Sequence, residues 1–110
     1  MSRRGLLLLA ASAALLLPVP SSAAAAPHTY TIVLDKMKFG AVPPSLHVGA
    51  TIVWVNRDIF RHTATAKTGG FDVDLPAKAS AKTVLKKAGA IAVTCKFHPG
   101  MRATLNVAPR

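Results

Sequence analysis

The chain has 110 residues, 51% hydrophobic and 16% charged, with 14 lysines and arginines against four acids, a formal net charge of +10. That length allows one domain plus a short extension. One cysteine excludes an internal disulfide, and an aromatic content of 5% without a basic helix gives nucleic acid no stacking platform.

At the amino terminus Arg3 and Arg4 precede the apolar run Gly5 to Leu17, which gives way to Pro18, Pro20, Ser21, Ser22 and the alanines Ala23 to Ala26. A charged start, an apolar stretch and a small-residue site read as a secretory signal, residues 1–25 to within a few residues, leaving 26–110 as the mature domain. The run is shorter than the ~20 apolar residues a membrane helix needs and is stopped by prolines, so no stable membrane insertion is expected after its removal. The opening Ser2-Arg3-Arg4-Gly5-Leu6-Leu7 also resembles a twin-arginine export signal, while the leucine-rich core suits the general secretory route equally well. Either route ends in the periplasm.

From Thr29 onward, short β-branched runs alternate with Gly, Pro and Asn punctuation. The spacing predicts strands over Thr29 to Leu34, Ser45 to Val48, Thr51 to Val55, His62 to Ala66, Phe71 to Leu75, Ser80 to Leu85, Ala90 to Cys95 and Ala103 to Val107. About eight short strands in some 85 residues predict an all-β fold, a small Greek-key β-sandwich. Trp54, flanked by apolar residues, is expected in its core.

The last loop carries the chemistry. Thr94-Cys95-Lys96-Phe97-His98-Pro99-Gly100-Met101 places a thiol, an imidazole and a thioether three residues apart, and His62 stands upstream on its own strand. Taken singly, each residue is ordinary: a lone Cys is a small buried hydrophobe, a Met fills core, a His beside Pro-Gly is a loop residue. Together, one Cys, two His and one Met form the soft set that suits a single copper ion, with two imidazoles and a thiolate in a trigonal plane and the thioether as a weak axial contact. Structural zinc draws on paired cysteines, and no acid lies between Cys95 and Met101 to act as the base of a catalytic zinc site. A free thiol in an exported chain is open to oxidation, and ligation protects it.

Of the other histidines, His47 lies in a strand and reads as a solvated or core-edge residue. His28 is preceded by Pro27, which has no N–H to give up, so a square-planar amino-terminal copper site is unavailable.

These residues resemble the cupredoxin family of blue type 1 copper proteins, and within it the amicyanin subfamily. The likeness rests on Met37-Lys38-Phe39, on Leu46 through Arg57, on His62 and on the short Cys-x2-His-x2-Met loop with Pro directly after His. It implies a cupredoxin-like sandwich with His62, Cys95, His98 and Met101 as ligands of one copper ion cycling between Cu(I) and Cu(II). It also implies that Asn56 ties the first ligand loop to the Cys side. Thr63 stands where the family usually has Asn, and its hydroxyl is expected to donate across the two ligand loops.

The expected function is single-electron transfer between redox proteins, without enzyme activity, by a monomer. Its exit is expected at His98, ringed by Phe97, Pro99 and Phe60 with Lys96, Arg61 and Arg102 at the rim. Without the two leader arginines, 12 basic residues face four acids, a charge of about +8 that steers partners with an acidic docking surface. The alternative is a periplasmic carrier delivering copper to a cuproenzyme. A multicopper oxidase or reductase would need His-x-His pairs, and the chain has none.

Overall fold

The computed structural model describes Gly5 and residues 11–17 and 28–110. Most of the expected signal, including its cleavage site, lies outside the described residues. Among the described residues no helix is long and apolar enough to cross a membrane.

Among the described residues nine strands form two sheets: β1 Thr29–Asp35, β2 Lys38–Phe39, β3 Leu46–His47, β4 Thr51–Asn56, β5 His62–Ala66, β6 Phe71–Leu75, β7 Ser80–Val84, β8 Gly89–Thr94 and β9 Arg102–Ala108. One sheet runs β2-β1-β4-β7 and the other β3-β9-β8-β5-β6. The pairs β1–β4 and β3–β9 are parallel and the rest antiparallel. The all-β sandwich expected from the sequence is present, with one strand more than the eight its spacing predicts. That strand, β2, follows a two-residue turn at Lys36 and Met37, both with positive φ (52° and 62°).

Alternation along each strand builds the core. Ile32, Leu34, Ile52 and Trp54 face inward from one sheet, and Ala64, Ala66, Ile91, Val93, Leu105 and Val107 from the other, all buried. Trp54 sits between Phe39 and Phe71, each ring centroid 6.1 Å away, and its indole N–H donates to Thr83 Oγ1 at 3.1 Å. That bond satisfies the one polar atom of a fully buried side chain.

The same alternation aims the site. Ile91 and Val93 point inward, so Cys95, two positions on, continues that face. His62 shares the inward face of β5 with Ala64 and Ala66. β5 and β8 are antiparallel with Thr65 opposite Thr94, which brings the start of one beside the end of the other. Two side chains 33 positions apart in sequence therefore meet at one pole of the sandwich.

Candidate metal centre

Around that pole the loop from Cys95 to Met101 closes on itself. The Met101 N–H donates to the His98 carbonyl at 2.9 Å, and the Cys95 N–H to the Met101 carbonyl at 3.3 Å. The second contact continues the β8–β9 ladder past Thr94–Arg102, so the sheet itself fixes both ends of the loop.

His62, Cys95 and His98 come together there. The Nδ1 atoms of His62 and His98 are 3.1 Å apart, and the Cys95 sulfur lies 3.8 Å from the first and 3.6 Å from the second. A point equidistant from these three atoms is about 2.0 Å from each, which matches the ~2.0–2.1 Å of a first-row metal–imidazole bond and falls a little short of the ~2.3 Å of a metal–thiolate bond. A hydrogen bond between the rings accounts for the 3.1 Å contact. The triangle is also the size a trigonal ion requires, and the donor set of thiol and imidazoles suits copper.

His62 is fully buried, and its other ring nitrogen, Nε2, lies 2.7 Å from Asp58 Oδ2. A carboxylate only accepts, so in the neutral ring Nε2 carries the hydrogen and Nδ1 presents its lone pair to the cluster. Asp58 is itself held: its two oxygens accept the Lys36 N–H at 2.7 Å and the Met37 N–H at 2.9 Å. Burial alone would push this carboxyl up, but the His62 bond and the Met37 and Lys36 N–H groups outweigh it and hold the carboxyl down at about 2. The carboxylate thereby couples the orientation of His62 to the left-handed β1–β2 turn. The sequence signal for this role was an acid four positions before a candidate ligand.

Thr63 and Asn56 both brace the site, though not as the resemblance implied. The Thr63 hydroxyl accepts the Lys96 N–H at 3.0 Å, so it joins the two ligand loops as an acceptor. Its own hydrogen goes to Thr65 Oγ1 at 2.9 Å, whose hydrogen goes to Asp72 Oδ1 at 2.8 Å. A backbone donor at one end and a carboxylate at the other fix the direction of that relay. The Thr63 N–H points at the Cys95 sulfur, 3.4 Å away. Asn56, fully buried, ties the loop before His62 to the end of β6 instead of to the Cys side: its amide donates to the carbonyls of Phe60, Leu75 and Pro76 at 2.8, 3.0 and 3.2 Å, and its oxygen accepts the Asp58 N–H at 2.9 Å.

Met101 ends the same loop and is buried among core residues. His98 is half-buried, with Phe60 edge-on at 6.3 Å. Phe60 and Phe97, the apolar neighbours of His98 expected from the sequence, are each about half exposed (50% and 51%), and Ile59, next to Phe60 in the chain, is 74% exposed. Two of the three rim cations are paired. Arg61 makes a two-pronged bridge to Asp74 at 2.9 and 2.8 Å and covers the Phe97 ring at 5.4 Å, and Lys96 pairs with Asp72. These partners hold both carboxyls below the usual range, through Arg61 for Asp74 and through Lys96 and then Thr65 for Asp72. Arg102 donates to the Pro99 carbonyl at 3.2 Å.

No family model matches the chain, and no curated protein matches it. Solved structures do. Amicyanin from Paracoccus versutus aligns with a TM-score of 0.61 at 22% identity, covering 82% of this chain and 85% of that one. A reduced amicyanin carrying a proline-to-phenylalanine substitution gives 0.58 at 26% identity over 72% and 81%. The Cu(I) form of a methionine-to-alanine amicyanin gives 0.57 at 26% identity over 74% and 84%. In fold and in the donor atoms gathered at one pole, the chain resembles the cupredoxins and amicyanin among them.

Proposed function

We propose that this amicyanin-like chain is an exported, monomeric carrier of single electrons, working in the periplasm on one copper ion held by His62, Cys95, His98 and Met101. The observation that carries the reading is the triangle of two Nδ1 atoms and one sulfur, sized for a single ion and walled by core side chains. Copper, when bound there, supplies a one-electron couple between its cuprous and cupric states.

The chain's own part is to keep the donors still. Cys95 would give up its proton on ligation, and the Thr63 N–H is placed to face the thiolate. Asp58 pins His62, the Lys96–Thr63 bond joins the two ligand loops, and the sheet fixes both ends of the Cys95 loop. Donors anchored this way need not move when the charge at the site changes by one, which favours fast exchange. Met101, as a weak thioether donor, and the N–H to sulfur bond would tune the potential. The test is direct: the purified protein should take up one cupric ion, turn intensely blue, and cycle between its redox states repeatedly without losing the metal. Copper released on each reduction would favour delivery to a cuproenzyme over electron transfer.

Electrons are proposed to leave through His98 inside the collar of Phe60, Phe97 and Pro99. With Arg61 and Lys96 engaged by Asp74 and Asp72, steering of acidic redox partners falls to the overall charge and to Arg102. Pro99→Glu should slow exchange with such a partner about tenfold or more, an effect of like-charge and desolvation costs of ~1.4 kcal/mol or above, while the blue band stays unchanged. Stopped-flow rates equal to wild type would remove the exit from this face.

A further inference from the structure

The two histidines outside this centre meet at the opposite pole. His28 precedes β1, and β1 runs parallel to β4 from Thr29 beside Thr51 to Leu34 beside Asn56, so its start lies at the far end from His62. There His28 Nδ1 is 3.3 Å from His47 Nε2, with ring centroids 5.6 Å apart and planes at 74°. His47 Nδ1 lies 3.1 Å from the Val48 carbonyl. A carbonyl only accepts, so Nδ1 carries the hydrogen and His47 Nε2 offers a lone pair, the arrangement that prepares an imidazole for ligation. The His28 N–H now fills that lone pair.

We infer that this pair is a second metal site, which takes one borderline divalent ion of the first row, such as Cu(II), Ni(II) or Zn(II). Two nitrogens each ~2.0–2.1 Å from a tetrahedral ion stand ~3.3 Å apart, the separation already present. Binding replaces the N–H between the rings: the His28 hydrogen moves through solvent from Nδ1 to Nε2, both rings stay neutral, and the exposed His28 ring tilts so that both lone pairs face the ion. The chain's four acids are Asp35, Asp58, Asp72 and Asp74; Asp35 ends β1, Asp58 holds His62, and Asp72 and Asp74 bind Lys96 and Arg61 beside the first centre. An all-imidazole site without carboxylates selects against calcium and magnesium. His28 is exposed and His47 lies in the wall of a shallow groove of about 530 Å³ along β3 and the end of β9, so water or a donor atom from another protein would complete the shell.

Zinc ion alone, titrated into the reduced, copper-loaded protein, tests this. One equivalent should bind by calorimetry, and NMR should show the His28 and His47 ring signals shifting while those of His62 and His98 stay in place. His47→Ala and, separately, the exposed-end variant His28→Gln should each weaken zinc binding about tenfold or more, with the blue colour of the oxidised protein unchanged. No zinc uptake, uptake that survives both substitutions, or shifts confined to His62 and His98 would overturn the assignment.

Discussion

Cys95→Ser protein, loaded with cupric ion, is expected to be essentially colourless. The intense blue of a copper–thiolate site needs the sulfur, and a hydroxyl supplies neither its softness nor a proton that a bound metal displaces as readily. The fold should survive the change, because Cys95 is buried at the edge of the core and serine is nearly isosteric. Two imidazoles remain 3.1 Å apart, so the variant should still bind copper, with a pale spectrum and a spin-resonance signal typical of nitrogen and oxygen ligands. Its self-exchange should fall by orders of magnitude, since a shell of hard and borderline donors reorganises when the ion is reduced. Optical and spin-resonance spectra of wild type and variant at equal copper content check this; a variant that stays as blue as wild type would show that the sulfur of Cys95 is not in the shell.

Most of the architecture was legible because its causes are local. Alternating apolar residues bounded by Gly and Pro located eight of nine strands, two of them, His62–Ala66 and Phe71–Leu75, to the residue. The strand that escaped is β2. Its turn uses Lys36 and Met37, which carry none of the Asn or Gly signals that mark left-handed turns, and it is held by Asp58 from more than twenty positions away. The site divides along the same line. Spacing placed Cys95, His98 and Met101 on one loop and suggested His62 as their partner, since ligand chemistry is a property of side-chain type. What orients those side chains was hidden: the Asp58–His62 bond, the Lys96–Thr63–Thr65–Asp72 relay and the engagement of Arg61 and Lys96 all join residues that only the sheet pairing brings together. The resemblance even pointed Asn56 the wrong way, because a side-chain amide at the end of a strand has several neighbours within reach and only the fold selects among them.

That amide is the strongest structural lever in the site. In Asn56→Ala three carbonyls lose their donor and the Asp58 N–H loses its acceptor, at a position 1% exposed where little water can enter. Leaving buried polar groups unpaired costs ~1–3 kcal/mol each, and with one NH2 group shared among three acceptors a total of about 3 kcal/mol is expected. For a domain of this size that is a large part of the ~5–15 kcal/mol holding it folded and should lower Tm by roughly 15 °C. The loss is not confined to stability. Asn56 fixes the start of the segment that ends at His62, and through the Asp58 N–H it also fixes the carboxylate on which the His62 ring hangs. Metal-free variant protein should therefore show faster amide exchange from Arg57 to Arg61 than wild type, and copper affinity should drop, by about 10–100-fold on the scale seen when the outer partners of metal ligands are removed. Because copper binds only the folded state, saturating metal should recover part of the lost Tm, and more of it in the variant's blue form than in its Cys95→Ser double variant. Calorimetric melting with and without copper measures both; a Tm within 3 °C of wild type would mean that the three carbonyls find other donors and that the loop does not depend on Asn56.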